Sequence, residues 1–331
     1  MLIGAIVAVV VFTVLISLVG IGAFVRAVGD IPPPLVGLLF LTALAGIASM
    51  GSSFYAVSDS LDLGFSPLEA ISMFTTINLA HNLTPFAQAG GEPVGAMILS
   101  QRSGRPYETC LAAISAFDVI NFVPAVLIFV TGSLYIAVFS PQLPSELRPI
   151  IGAFGIFVLT VSLIIILIYR WPMRTRRGLE RTTGGFYKLV ARLWPSHLPG
   201  LHSVVSQLRG YTDSLGVVAN DHRTIVTSAS FATAAFTAQG IVLWLALNAL
   251  EVHLSVVIAV VIIPISLVAS VIPLPGGGGG VEAVQVTLII ALTRDTLGNI
   301  LTAVVLSRGI VFWLPVLLGM IVLGRMRLGK D

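Results

Sequence analysis

A chain of 331 residues that is 56% hydrophobic and only 10% charged has too little polar surface for a soluble domain, where about 25% charged residues is usual. Several stretches exceed the roughly 18 apolar residues that signal a spanning helix, so the chain reads as an all-α polytopic membrane protein. The net charge of +3 is uninformative as a total, but nine of the 18 Lys and Arg lie between Arg170 and Arg223, which assigns that segment to the cytoplasm.

Met1 to Val25 lacks a basic leader and a small-residue cleavage site followed by polar chain, so it reads as a retained first span, about Leu2 to Val25, ending at Arg26 and Asp30. A second span follows the helix-breaking Pro32 to Pro34 and runs to about Val57, with a polar turn from Ser58 to Gly64. Ser66-Pro67-Leu68-Glu69 is a capping box with proline at the first helical position, opening a helix to about His81. At ~16 residues, or about 24 Å, that helix is too short to cross comfortably. It stops at Asn82-Leu83-Thr84-Pro85, and Gly90-Gly91-Glu92-Pro93 restarts a second short helix ending near Gly104. Residues 66–104 therefore read as a re-entrant helical hairpin, the apolar content of Ala70 to Leu99 arguing against two surface helices.

Thr109 to Ser140 is a long apolar run carrying Asp118, Asn121 and Pro124, and needs tilt or a kink to fit a bilayer. After the turn from Pro141 to Arg148 comes a span from Pro149 to Tyr169. The basic stretch from Arg170 to Arg192, interleaved with Phe186, Tyr187 and Leu193, reads as an interfacial amphipathic helix on anionic headgroups. Its basicity alone suits nucleic acid equally, but between two spans the membrane surface is the better partner, and no nucleic acid is expected. A fifth span covers about Thr224 to Leu250, and His253 to Ile272 is a second half-helix region. It leads into Pro273-Leu274-Pro275, five glycines from Gly276 to Gly280, Glu282, and a short apolar helix to about Leu292. The last span, about Gly298 to Leu323, carries Arg308 near its middle and ends at Arg325, Arg327 and Lys330. The expected architecture is about six full spans plus two re-entrant hairpins, eight hydrophobic segments in a single transmembrane domain over residues 1–331.

With the basic stretch and the C-terminal Arg325 to Lys330 both cytoplasmic, counting spans puts both termini in the cytoplasm and makes the two hairpins enter from opposite sides. Their spacings match. Pro85 lies seven residues before Glu92, and Pro275 seven before Glu282; Asp118 lies 26 after Glu92, and Arg308 26 after Glu282. Such a pattern points to an inverted repeat, 34–140 with hairpin 66–104 and 223–325 with hairpin 253–293, joined by 141–222.

A glycine run is costly in an apolar segment, and irregular backbone at membrane depth is tolerated only in protein or against a water-filled cavity. Short helices starting next to Gly91 and Gly280 would aim N–H groups at such a cavity, an anion site that suits a lipid phosphate. The substrate-binding candidates are Asn82, Pro85, Gly90, Gly91, Glu92, Asp118, Pro275, Gly276, Gly277, Gly278, Gly279, Gly280, Glu282 and Arg308. Glu92 and Glu282 can bind a cation, carry a proton or pair with Arg308, and Asp118 can pair with Arg308 across the repeat axis. His81 is a candidate for protonation or a polar cap, and Arg102 and Arg105 belong to the cytoplasmic rim. The single Cys110 excludes an internal disulfide, no cysteine and histidine spacing suits zinc, and no cofactor is expected. No HExxH, G-x-S-x-G or P-loop motif is present.

Taken together, Asn82 to Pro85 with Gly90-Gly91-Glu92, Asp118, Pro275-Gly276-Gly277 with Gly279 and Glu282, and Arg308 to Trp313 resemble the flippase-like membrane family related to the transmembrane half of lysylphosphatidylglycerol synthases. The resemblance covers essentially the whole chain. It departs from the family pattern at Gly95, where members often carry arginine, and over Ile114 to Phe117, which lacks a glutamate before the aspartate. In the synthases a large soluble domain makes the aminoacyl lipid and the membrane part is associated with moving it, so synthase activity is not expected here. The resemblance implies a lipid translocase of the plasma membrane for an anionic phospholipid or a polyprenyl-phosphate-linked glycolipid. Its partners would be membrane lipids with anionic headgroups and a separate lipid-modifying enzyme or glycosyltransferase. Two alternatives stay open: an intramembrane enzyme or accessory subunit of envelope lipid and glycan synthesis, with Glu92 and Glu282 as acid and base, and an ion-coupled transporter of a small soluble anion.

Overall fold

The computed structural model describes residues 2–84, 88–139, 152, 155–156, 159–160, 163, 201–267, 269, 277–293 and 295–328. The expected turn 141–148, the basic stretch 170–192, Pro85, Pro275 and Gly276 lie outside them, as does most of the span expected at 149–169. Among the described residues the secondary structure is helical throughout, without strands.

Helices α1 (Leu2–Val19) and α2 (Ile21–Gly29) meet at an angle of 87°. The break falls at Gly20, whose φ of 91° is open to glycine and strained for other residues. The continuous first span expected from Leu2 to Val25 is thus two helices, because a glycine inside an apolar run carries no hydropathy signal of its own. α3 (Pro33–Ser60) starts on prolines, which are tolerated in the first turn because their missing N–H has no partner there anyway. α4 (Pro67–Leu83) opens on the expected capping box: Ser66 Oγ accepts from the Glu69 N–H at 3.4 Å, and Glu69 Oε2 accepts from the Ser66 N–H at 3.1 Å. Glu69 also pairs with Arg102, tying the start of α4 to the end of α5 (Gln88–Ser103).

α6 (Tyr107–Phe139) has 33 residues and is about 50 Å long at 1.5 Å per residue, well over the hydrocarbon thickness. α7 (Leu201–Asn220) is followed by α8 (His222–Ala249), capped by Asp221, whose carboxylate accepts from the Thr224 hydroxyl at 2.7 Å and its N–H at 3.1 Å. α9 (Val256–Leu267) and α10 (Gly280–Thr293) are short and apolar, and α11 (Leu297–Leu328) closes the described chain. Among the described residues four stretches are long and apolar enough to cross a membrane: Pro33–Ser60, Tyr107–Gly132, His222–Ala249 and Leu297–Met326. The bent α1–α2 pair makes up to five.

The most extensive helix packing is that of α3 along α8; α4 also packs against α11, and α9 against α6. Small residues permit the close approaches. A Cβ on Gly51 would lie 2.7 Å from Ile71 Cα, and one on Gly240 would lie 2.4 Å from Val260 Cα. These two crossings, α3 on α4 and α8 on α9, are 189 residues apart in both partners. The turn after α3 and the turn after α8 also share a conformation: among the described residues, Asp62 (φ 51°) and Glu251 (φ 61°) are the non-glycine residues of positive φ, again 189 apart. In each turn the following N–H, of Leu63 or Val252, reaches back to the carbonyl of Ser58 or Leu247. Adding 190 to the first residues of α3, α4, α5 and α6 gives 223, 257, 278 and 297, against observed starts at 222, 256, 280 and 297 for α8 to α11.

One packing prediction follows at the α4–α11 crossing, where a Cβ on Gly319 would stand 2.4 Å from the Thr75 carbonyl oxygen, a backbone atom. Gly319→Val should cost about 1–3 kcal/mol by overpacking and lower the thermal midpoint in detergent. Gly324→Ala, where the added carbon meets nothing within 4 Å, should leave the midpoint unchanged or slightly raised. Equal midpoints for the two variants would show that this crossing is not close.

Candidate functional site

α10 begins on the last glycine of the run. Gly277 and Gly279 have φ of 66° and 82°, so the turn into the helix requires glycine at these two places. Glu282 sits in the first turn and is 1% exposed. One of its oxygens, Oε2, accepts from the Gly279 N–H at 2.7 Å, and the other, Oε1, accepts from Arg308 Nε on α11 at 2.9 Å. A carboxylate three residues into a helix is well placed to satisfy the N-terminal donors and the positive dipole end. The helix start that the sequence offers to a ligand anion therefore already carries an anion of its own. Arg308 is joined to Glu282 in its own half of the molecule, and the cross-axis pairing with Asp118 gives way to this one because α10 and α11 are adjacent and packed together.

Arg308 lines a small pocket between α8, α9, α10 and α11, with Gln239, Ser266, Gln285 and Ser307 supplying the other polar groups and aliphatic side chains filling the wall between them. Gln285 Nε2 donates to Ser266 Oγ at 3.2 Å. None of these four residues stood out in the sequence. The available signal was position: Gln285 lies three residues after Glu282, on the same helix face, and Ser307 adjoins Arg308.

A second group of ionisable and polar side chains is carried by α4, α5 and α6. Glu92 on α5 is half-buried, receives the Ser115 hydroxyl at 3.5 Å, and stands beside the carboxyl group of Asp118 on α6. Asp118 Oδ2 is buried without a hydrogen-bond partner, as is His81 Nε2 on α4. Gly91 lies against His81 so closely that a Cβ would stand 2.4 Å from the imidazole Cδ2, which makes this glycine a requirement of the α4–α5 crossing. Gly90 lies in the first turn of α5. Asn82 Nδ2 donates to Asn78 Oδ1 at 2.6 Å, one turn back along α4. Arg105 Nε donates to the Asp62 carbonyl in the turn after α3 at 2.8 Å, and Arg102 pairs with Glu69 at the start of α4, so both arginines serve exposed contacts. Asn121 is joined through the Ser53 hydroxyl (3.3 Å) to Ser228 (2.8 Å), linking α6, α3 and α8 in the core.

Glu92–Asp118 and Glu282–Arg308 are thus two pairs at the same spacing, one of like charge and one of opposite charge. Among the described residues no three His, Cys, Asp or Glu side chains converge to hold a metal ion. No curated protein and no solved structure matches the chain. A family model does match, that of the lysylphosphatidylglycerol synthase TM region, over residues 1–319, and the chain belongs to that family.

Proposed function

We propose that this chain is a lipid translocase that moves an anionic phospholipid or a polyprenyl-phosphate-linked glycolipid between the leaflets of the plasma membrane. The observation that carries this is the pocket in which Arg308, ion-paired to the buried Glu282, meets polar side chains from α8, α9, α10 and α11, inside an otherwise apolar helical protein. An intramembrane arginine is costly and marks a substrate or ion path. Here it would hold the phosphate of a headgroup while the acyl or prenyl tail stays in lipid. Family membership supports a link to lipid chemistry, since the family takes its name from the membrane region of a lipid synthase.

The architecture proposed for this task is six spans and two opposed re-entrant hairpins, α4–α5 and α9–α10, in an inverted repeat with both termini cytoplasmic. Support comes from the matched helix starts, the paired glycine crossings, and the like turns after α3 and α8. Glu92 and Asp118 would couple the step, because two adjacent carboxyl groups call for a proton or a small cation between them. A separate enzyme would make the lipid. Glu282, with both oxygens engaged, is a poor candidate for the acid or base of an intramembrane enzyme.

The test is leaflet exchange in liposomes reconstituted with the purified protein, using headgroup-labelled phosphatidylglycerol and a polyprenyl phosphate sugar. Exchange above empty liposomes, with the lipid chemically unchanged, is the expected result. No exchange of any anionic lipid would count against translocation, and a covalently changed lipid would favour the enzyme.

A further inference from the structure

Gln285 is 2% exposed, and its amide orientation follows from a short chain of donors. The Ser266 hydroxyl donates to the Ile263 carbonyl at 2.8 Å, which leaves its oxygen as the acceptor for Gln285 Nε2 at 3.2 Å. Gln285 Oε1 is thereby turned away from Ser266. It is buried, has no hydrogen-bond partner, and belongs to a residue of the pocket wall. Ser307 repeats the pattern beside it: its hydroxyl donates to the Val304 carbonyl at 3.0 Å, so it too can only accept from a ligand. A buried amide oxygen left unsatisfied destabilises the fold, and buried polar groups as a rule have partners. Its missing partner is a donor.

We propose that the pocket between α8, α9, α10 and α11 is a headgroup subsite for a phosphodiester whose substituent carries an O–H or N–H donor, as in a glyceryl, aminoethyl or sugar group. Arg308 takes the phosphate side, and Gln285 Oε1 and Ser307 Oγ accept from the substituent. Two acceptors set beside one guanidinium discriminate on the substituent and not on charge, because an ester lacking the donor would leave Gln285 unpaired as before. Assignment to a lipid rests on the translocase reading above; a soluble glycerophosphodiester offers the same chemistry.

Binding of two lipids of equal charge and equal tails to the purified full chain in detergent micelles tests this. Phosphatidylglycerol has hydroxyl donors and phosphatidylmethanol has none. The parent protein should prefer phosphatidylglycerol by about tenfold, the scale of one buried hydrogen bond. Gln285→Leu should bring the ratio close to one while the thermal midpoint holds or rises, since an unpartnered polar atom is replaced by an apolar one. Ser266→Ala, which frees the amide to rotate but keeps Oε1, should reduce the preference without abolishing it. An unchanged ratio in folded Gln285→Leu, or no preference in the parent, overturns the subsite. Competition by glycerophosphoglycerol, a soluble phosphodiester with hydroxyl donors, supports the subsite with a soluble source, and lack of competition with the lipid preference intact supports it with a lipid source. Leaflet exchange is scored separately: its absence with the preference intact overturns the translocase alone, and exchange without preference overturns the subsite alone.

Discussion

Arg308→Met should lower stability by about 3–5 kcal/mol and abolish transport, the first effect coming from what is left behind. Glu282 is 1% exposed, and its Oε1 would lose its cation while Oε2 stays on the Gly279 N–H. An uncompensated buried carboxylate is more costly than the pair is worth, so the double variant Glu282→Gln/Arg308→Met should recover much of the lost stability. It should not recover transport, because the guanidinium that the translocase proposal gives to the phosphate is still missing. Arg308→Lys should fall between the two: the charge is kept, but the Nε–H that donates to Glu282 Oε1 is lost. Thermal unfolding in detergent and leaflet exchange in liposomes check the two halves of this expectation. Arg308→Met with the parent's thermal midpoint would show that the pair does not hold α10 to α11, and Arg308→Met with the parent's exchange rate would remove Arg308 from the substrate path.

The second half of this site was partly legible in sequence because its geometry is set by local rules. Five consecutive glycines end a helix and permit the positive φ values found at Gly277 and Gly279, and a glutamate in the next turn tends to cap the helix that follows. The Ser66 capping box and the Pro33 start are legible for the same reason. Identifying the partner of Arg308 was beyond such rules: Asp118 and Glu282 were both open to it, and the choice is made by the packing of α10 on α11. Gln285 is the clearer case. Its meaning depends on Ser266, on the other side of the glycine turn, and on the direction in which Ser266 spends its hydroxyl hydrogen. Gly20 is silent in the sequence for the opposite reason, since a bend of 87° within an apolar run leaves mean hydropathy unaltered.

Asp118→Arg should slow leaflet exchange by about tenfold or more while raising thermal stability, a combination that an ordinary disruptive substitution does not give. The two halves place their acidic residues alike, Glu92 on α5 and Glu282 on α10, but 26 residues further on the first half has Asp118 where the second has Arg308. The second pair is internally neutral. The first brings two carboxyl groups together, with Asp118 Oδ2 buried and unpartnered, and must take a proton or a cation from outside to be neutralised. If that uptake and release drive the step, an arginine at position 118 supplies the counter-charge permanently and locks the first half in the state of the second. A charge-assisted hydrogen bond is worth roughly 1.5–3 kcal/mol, so leaflet exchange should fall by about tenfold or more and the thermal midpoint should rise. Asp118→Asn removes one of the two carboxyl groups without adding a cation; exchange should then persist but lose its response to an imposed proton or sodium gradient. Parent-like, gradient-driven exchange in Asp118→Arg would show that the carboxyl pair takes no part in coupling, and would leave the opposite-charge pair of the second half as the sole electrostatic element of the transport step.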